Sequence, residues 1–568
     1  MVRLAAPPSS LLPLPSSLFP LPSLLPLPPP SSSFLPRRGL VPGGGGGPGG
    51  GGGPGAGGGE GGGREPSPPL LFPQRGMARG GGARGGGARG GGARGGGGRP
   101  PPPGGRGVYY ATCHPGLEPS LAQELRSPPL RASGVTAVRP GRAGVRFQAA
   151  EPEAPYAANL WLRGAVRVLE LVAEGPLDRS LPDPATALYE FVRGATDWPR
   201  LLEEGQTFKV TVHLGSSSLG SQLLALRRTR DAVCDAVREA TGLRPHDPEG
   251  SAPDVPLFLN LYRDEVSLYR DTSGASLHRR GYRRGAVHRA ALNEAAAGGL
   301  VTLASAGAPS GDLGPLTVDP MCGSGTLLVE AALRAARVAP GLLRPPRSFA
   351  CTGWGDFDAG AWARAEERAD GARLADPPAR FRGNDVHPGA LRLAEAAAEA
   401  AGVDHLVSFD RGDCLDWRVE ERERPSAVLS NPPWGERLLS RQSSREGEEY
   451  DDGEGASFGG GEGGDDYGDG RGRGGGGDEY GGDAAELEEA WSSLGTFLRR
   501  ECEGADAWLL SGSKNITRPL RMSANRKTPL TIGGMDCRLV HYSVRSRRDT
   551  VCFICGRKGH VARDCPEQ

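Results

Sequence analysis

The sequence predicts an α/β protein, a doubly wound parallel sheet preceded by a smaller α+β module. Three observations carry this. Short apolar runs at Leu316–Asp319, Phe381–Asp385, Val407–Asp410, Ala427–Ser430 and Ala507–Leu510 are spaced by segments of helical period such as Ala390–Ala401 and Leu487–Arg500. The first run passes directly into Pro320-Met321-Cys322-Gly323-Ser324-Gly325-Thr326, a small-residue turn opening a helix at Leu327–Ala336. Gly and Pro, 91 and 52 of the 568 residues, crowd into 1–107 and 441–483, so the remainder has ordinary globular composition.

The formal net charge is zero, with 67 basic and 67 acidic side chains. That total is a cancellation. Residues 1–107 hold eleven Arg against Glu60 and Glu65, whereas 441–486 hold fourteen acids against four Arg. Neutrality therefore does not exclude nucleic acid. Ten cysteines are too sparse for a disulfide scaffold and fit a reducing compartment. No apolar run reaches the roughly 18 residues of a spanning helix, so no membrane partner is expected.

Residues 1–60 are rich in Pro and Ser, with Arg3, Arg37 and Arg38 and no acid before Glu60. Proline interrupts the apolar stretch 11–30 too often for a secretory signal. A transit peptide to plastid or mitochondrion and a merely disordered arm both explain this composition; nucleus or nucleolus is the other compartment. Initiation at Met77 would leave an untargeted form. In 61–107 an Ala-Arg-Gly-Gly-Gly repeat sets Arg79, Arg84, Arg89, Arg94 and Arg99 five residues apart. Such a tether either contacts RNA through its guanidiniums or is a solubilising linker.

Folded sequence begins at 107. Val108–Thr112 reads as a strand, Gly116–Arg126 as a helix, and Arg142–Gln148 as a second strand. Tyr156–Leu171 reads as a helix ending in a strand-like run near Val172. Thr207–Leu214 alternates as a strand, Ser221–Ala240 is helical, and Val255–Tyr262 with Val266–Asp271 forms a hairpin across Arg263-Asp264-Glu265. Thr528–Thr531 and Cys537–Ser543 make a terminal hairpin-like pair.

The strings YYATCHPGLEPSLAQEL (109–125), ANLWLRGAVRVLEL (158–171) and DTSGASLHRRGYR (271–283) resemble THUMP-domain RNA methyltransferases, closest to the bacterial large-subunit rRNA guanine-N2 branch. The resemblance covers about 108–440 and 484–546. It implies a ferredoxin-like segment (108–155) and a THUMP domain (156–275) as RNA-binding module. A Rossmann-like class I methyltransferase domain would occupy 276–440 and 484–547, split by an acidic, Gly-rich disordered insertion at 441–483. Bacterial relatives carry a second methyltransferase domain; this chain ends instead in a small module at 548–568, so only guanine-N2 activity is expected to carry over. His278–Arg283 looks like the family's segment closing over the cofactor, with a basic surface loop as the other reading. The insertion is a solvated spacer or a competitor of RNA phosphates at the pocket rim.

The chemistry follows the strand ends. Asp319, Pro320, Cys322, Gly323, Ser324, Gly325 and Thr326 form the turn where a ligand approaches backbone. Asp385, closing the next strand, is placed for two ribose hydroxyls. Asp413 is placed for an adenine amino group, and the Cys414 amide for the ring nitrogen. A dinucleotide site would show Gly-x-Gly-x-x-Gly and an acid about 20 residues on, and neither occurs. These residues are the expected S-adenosylmethionine site. The fourth strand ends in Asn431-Pro432-Pro433-Trp434, the expected catalytic loop. The Asn431 carboxamide oxygen and Pro432 carbonyl can accept both N–H bonds of an exocyclic amine, which turns its lone pair toward a methyl sulfonium. Prolines stiffen the loop, and Trp434 offers a face for an extruded base. The family's usual aromatic here is Tyr. Adenine N6, guanine N2 and glutamine amide enzymes share this motif, so it gives reaction type rather than substrate. A buried thiol nucleophile has no supporting His or Asp, so Cys322 and Cys113 read as structural.

Cys552-x2-Cys555-x4-His560-x4-Cys565 has zinc-knuckle spacing, three thiolates and an imidazole around a structural zinc, with Phe553 and Val561 placed for a base and Arg557, Lys558 and Arg563 for phosphates. The sequence thus reads as a monomeric S-adenosylmethionine-dependent RNA guanine-N2 methyltransferase acting on large-subunit rRNA. A tRNA enzyme and a non-catalytic ribosome-assembly factor are the alternatives.

Overall fold

The strands of the front module sort by which face they bury. In β6 (Val255–Tyr262), Val255, Leu257, Leu259 and Leu261 point inward, while Phe258, Asn260 and Tyr262 are half exposed. β6 pairs with β7 (Glu265–Asp271) across a two-residue turn in which Arg263 and Asp264 both have positive φ, 54° and 61°. Asp264 offsets that backbone cost by accepting the Ser218 amide at 2.8 Å and the Ser217 hydroxyl at 2.9 Å.

The computed structural model describes residues 107–246, 248, 252–283, 292–308, 310–345, 347–419, 424–434, 481–512, 517–545, 552–558 and 565–567. The expected leader, the Arg-Gly arm and the body of the acidic insertion lie outside these residues. Among them, the strands form two seven-stranded sheets.

The first sheet is ordered β2 (Val135–Pro140), β3 (Gly144–Ala149), β1 (Val108–Thr112), β4 (Arg167–Pro176), β7, β6, β5 (Phe208–Gly215). The ferredoxin-like and THUMP segments are therefore one sheet, joined where β4 pairs with β1 on one side and β7 on the other. The expected helix at 156–171 is corrected here. Helix Ala154–Trp161 stops at Leu162, whose ψ of 118° is extended, and the rest becomes β4. Val168, Leu169, Leu171 and Val172 are all buried. A central strand covered on both faces loses its alternation and reads like a buried helix.

The second sheet is ordered β10 (Val407–Arg411), β9 (Arg380–Asp385), β8 (Leu316–Asp319), β11 (Ala427–Ser430), β12 (Asp506–Ser511), β14 (Met535–Ser543), β13 (Arg526–Ile532). The first five are parallel; β14 runs antiparallel to β12, and β13 antiparallel to β14. This is the expected doubly wound sheet with its terminal hairpin. Helix Gly481–Glu501 resumes the domain after the insertion and buries Trp491, Leu494, Phe497 and Leu498 against Val428, Leu509 and Tyr542. Its Phe497 ring stacks on Trp417 at 5.2 Å.

The two sheets are pinned by a buried carboxylate. Glu124, in helix Glu118–Leu125, accepts the Arg163 amide at 2.7 Å, the Gly164 amide at 3.1 Å and the Thr302 hydroxyl at 2.8 Å. Thr302 belongs to helix Glu294–Gly307, which leads into β8. No helix among the described residues is long and apolar enough to cross a membrane.

Candidate active site

A doubly wound sheet leaves a crevice at the carboxyl ends of its strands, where chain order reverses between β8 and β11. There the sequence places the small-residue turn. Gly325 sits at φ 70°, and a Cβ on it would come within 2.9 Å of the Ala394 Cβ and 3.0 Å of the Phe409 ring. Glycine is thus required both by conformation and by the close approach of neighbouring elements.

Backbone hydrogen bonds stitch the strand ends together. The Gly323 amide donates to Asp385 Oδ2 at 2.8 Å and the Cys322 amide to the Asn384 carbonyl at 2.9 Å. The Asn384 side chain, fully buried, donates to the Pro320 carbonyl at 3.1 Å and the Gly412 carbonyl at 2.9 Å. Asn384 therefore fixes the ends of β8, β9 and β10 relative to one another, a role the sequence reading missed. Asp385 also takes the His387 amide on Oδ1 at 2.9 Å. Asp385 lines the cleft, and each of its oxygens, with one backbone amide accepted, retains capacity for a hydroxyl donor.

Asp319 is 1% exposed and accepts the Met321 amide at 3.1 Å. Burial pushes its carboxyl up to about 7, and the nearby Asp385 charge adds to the rise. The Ser430 hydroxyl beside it opposes the shift without reaching hydrogen-bond geometry. Burial likewise raises the Cys414 thiol to about 12 and the Cys322 thiol further, which keeps both protonated and unreactive.

The cleft has a volume of about 400 Å³. Among the expected residues, Asp319, Pro320, Cys322, Gly323, Ser324, Thr326, Asp385, Asp413, Cys414, Asn431 and Pro433 line it. Gly325, Pro432 and Trp434 do not. Gly325 shapes the turn, and Pro432 is buried behind the loop. Trp434 is 8% exposed, its indole N–H donating to the Leu510 carbonyl at 3.2 Å and its ring lying over Gly512. One face of that ring is thus covered by β12. Leu292, Val386 and His387 also line the cleft, as do Ala490 and Ser493 from the helix beyond the insertion.

Asn431 lines this space, and its buried carboxamide oxygen has no hydrogen-bond partner among the described residues. An unsatisfied buried acceptor is costly, on the order of 1–3 kcal/mol, unless a ligand completes it. The loop holding it is clamped from behind, where Trp491 Nε1 donates to the Pro433 carbonyl at 2.9 Å.

Segment His278–Arg283 divides between the two readings offered for it. Arg280 is 1% exposed and pairs with the fully buried Glu330 at 3.1 Å, which also accepts the Tyr282 hydroxyl at 2.9 Å. Arg283 donates to the Leu292 carbonyl at 2.9 Å and to the Thr326 hydroxyl, both residues of the cleft wall. Of this segment Arg279 and Gly281 are exposed.

At the C-terminus the sulfurs of Cys552, Cys555 and Cys565 lie within 4.8 Å of one another. A positive φ of 68° at Gly556 turns the chain so that its amide reaches the Cys552 carbonyl at 2.9 Å. Three converging thiols suit a tetrahedral zinc. His560, Val561 and Arg563 lie outside the described residues. Phe553 is 97% exposed.

Comparison with known families agrees with this anatomy. Residues 109–169 match the RlmL ferredoxin-like domain, 186–271 the THUMP domain, 280–446 the RMKL-like methyltransferase domain, and 551–567 a zinc knuckle. The chain thus joins a ferredoxin-like and a THUMP domain to an RMKL-like methyltransferase domain and a zinc knuckle. Among curated relatives, the ribosomal RNA large subunit methyltransferase K/L of Syntrophotalea carbinolica is 34% identical over 446 residues, covering 78% of this chain and 54% of that one. Its namesake from Methylococcus capsulatus is 31% identical, covering 78% and 52%. The chain spans about half the length of the curated relatives it matches. In fold, it resembles a possible methylase from Clostridium difficile at 22% identity, with a TM-score of 0.61, covering 77% of this chain and 98% of that one. SMU.472, a candidate methyltransferase solved with SAH, gives 23% identity and a TM-score of 0.59, covering 78% and 99%.

Proposed function

We propose that this THUMP-domain protein is an S-adenosylmethionine-dependent RNA methyltransferase that forms N2-methylguanosine in large-subunit rRNA. The observation that carries the reading is the unpartnered carboxamide oxygen of Asn431, a residue lining the cleft at the end of β11 opposite the 319–326 turn. When bound, the donor supplies an electrophilic methyl group on a sulfonium. Asp385 keeps lone pairs for its ribose hydroxyls, Asp413 accepts from its adenine amino group, and the Cys414 amide serves the ring nitrogen.

Asn431 Oδ1 accepts one N–H of the guanine exocyclic amine; the Pro432 carbonyl is the acceptor proposed for the other, although Pro432 itself packs behind the loop and does not line the cleft. Holding both turns the nitrogen lone pair out of ring conjugation and toward the methyl group. No strong base is needed before attack, because the amine proton becomes acidic only once nitrogen is substituted. Trp434, buried and set in place by Leu510 and Gly512, braces the loop from outside the cleft instead of presenting the stacking face expected of it.

RNA as substrate draws on the THUMP domain and on the names of the relatives; guanine draws on the sequence NPPWGERL. Plastid or mitochondrion is the compartment the acid-free leader favours, within residues the structure does not describe. Nucleoside mass spectrometry of rRNA and tRNA, fractionated by compartment from cells lacking the protein, tests the whole reading. Loss of N2-methylguanosine from one large-subunit rRNA supports it; loss from tRNA alone, or no loss, overturns the rRNA assignment.

A further inference from the structure

We infer that the half-exposed face of the first sheet carries a second RNA site, a pocket that stacks one unpaired base away from the methyl-transfer cleft. This rests on the RNA methyltransferase reading and deepens it by naming how the front module would hold its substrate. The pocket has a volume of about 200 Å³ and is floored by Tyr110, Tyr269, Phe258 and Tyr262 from β1, β7 and β6. In the register of the sheet Tyr269 stands opposite Phe258, and Tyr110 tilts against Tyr269 at 6.2 Å between ring centroids. Four aromatic rings gather on this half-exposed face, outside the core that lies on the other side of β6.

The backbone beneath is cleared for these rings. A Cβ at Gly144 would come 2.4 Å from the Tyr110 ring, and one at Gly215 would come 3.1 Å from the Tyr262 ring. Tyr110 is further held by donating its hydroxyl to the Arg142 carbonyl at 2.8 Å. Rings held in place on a sheet are preorganised for stacking, and stacking tolerates any base.

Charge and polarity select a nucleotide over an apolar peptide. The guanidiniums of Arg142 and Arg263 lie 5.8 and 5.2 Å from the centre of the Tyr262 ring, reaching it from two different loops. Both are exposed, as are Arg139 and Lys209 at the edges of the same sheet. The acids nearby are largely committed. Glu174 forms a two-point pair with Arg146, and Asp264 is taken by Ser217 and Ser218, leaving Glu265. Beside the rings the Asn260 carboxamide and His213 imidazole meet at 3.0 Å, a donor-acceptor pair suited to a base edge. Stacking faces, a polar edge and flanking cations together fit an unpaired nucleotide.

The test uses the full chain and a short fluorescein-labelled single-stranded RNA of mixed sequence, with the matching duplex as comparison. Tyr262→Ala should weaken single-strand binding by about tenfold, the worth of one stacked base. Tyr262→Phe should restore it, and duplex affinity should stay within twofold. Binding of SAH serves as the control that the variant is folded. Photocrosslinking of 4-thiouridine-substituted RNA should label peptides containing Tyr110 or Tyr262. Unchanged single-strand affinity in both Tyr262→Ala and Asn260→Ala, with crosslinks elsewhere, would overturn the site while leaving the methyltransferase reading intact. That is also the result expected if the pocket received a protein segment. A wild-type chain that binds no RNA at all would overturn both.

Discussion

Gly512 is the position where a single methyl group should separate catalysis from donor binding. A Cβ there would lie 2.5 Å from Trp434 Cε3 and 2.8 Å from Cδ2, well inside van der Waals contact. The indole cannot retreat freely, since it is 8% exposed and tethered to the Leu510 carbonyl. In Gly512→Ala the ring must therefore shift by about 1 Å, and overpacking of this kind costs about 1–3 kcal/mol. The shift passes straight to Asn431 through Pro432 and Pro433, and displacements of about 1 Å lower rates by up to about 100-fold. The three atoms nearest to a Cβ on Gly512 all belong to Trp434, so the added methyl crowds the indole first and not the donor-binding residues. Steady-state kinetics should thus show kcat reduced by about 10- to 100-fold, with SAH affinity from calorimetry within twofold of wild type. An unchanged kcat, or an equal loss of SAH affinity, would refute the coupling of Trp434 to the reacting end of the cleft.

Other outcomes follow from the same geometry. Asp319 is held near 7 in the folded chain against an ordinary 3.8, so its contribution to stability is present below pH 4 and is lost as pH rises through 7. D319N removes that titration while keeping an acceptor for Met321; its stability should gain on wild type from pH 5 to pH 8, by at most about 3 kcal/mol, read as a rising difference in melting temperature. A difference that stays flat with pH would contradict the burial argument. Gly325→Ala meets Ala394 and Phe409 from a left-handed backbone, so thermal stability and SAH affinity should both fall, affinity by at least about tenfold. Preserved affinity would show that the turn adapts. Cys565→Ser should abolish the zinc measured by mass spectrometry in the wild-type chain yet leave SAH binding unaltered; equal zinc in both would remove Cys565 from the ligand set. Trp491→Phe deletes the donor to the Pro433 carbonyl and should lower kcat severalfold at constant SAH affinity, whereas an unaltered kcat would make that clamp dispensable.

The second sheet was legible because parallel strands buried on both faces are short apolar runs with turns at either end. Leu316–Asp319 and Ala427–Ser430 fall where the sequence puts them. The same property hid β4, whose lost alternation extended a helix that in fact ends at Trp161. Strand β2 escaped for the opposite reason. It is an exposed edge strand with a register break between Thr136 and Arg139, so it has little apolar pattern to show. That two front-module segments share one sheet depends on the β1–β4 pairing, which joins residues about 60 apart in the chain.

The chemical positions were legible from motif spacing; what holds them was not. Asp385 announces itself as an acid ending a strand, while its neighbour Asn384 gives no signal for a role linking three strand ends. Trp491 looks like any apolar residue on a helix face, yet it reaches Pro433 from 58 residues away across the insertion. The position of Trp434 could be read from four letters, but not its packing on Gly512, 78 residues further along. Local strings specify which atoms are needed, and long-range packing decides how rigidly they are held.

The most direct measurement is methyl transfer from labelled S-adenosylmethionine to large-subunit rRNA by the full chain, with digested nucleosides resolved by mass spectrometry, for wild type and Asn431→Ala. The proposed function predicts label in N2-methylguanosine with wild type and at least about a hundredfold less with the variant, at SAH affinity within twofold. Label in another nucleoside, or equal rates for the two proteins, would contradict the assignment of Asn431 and of the cleft it completes.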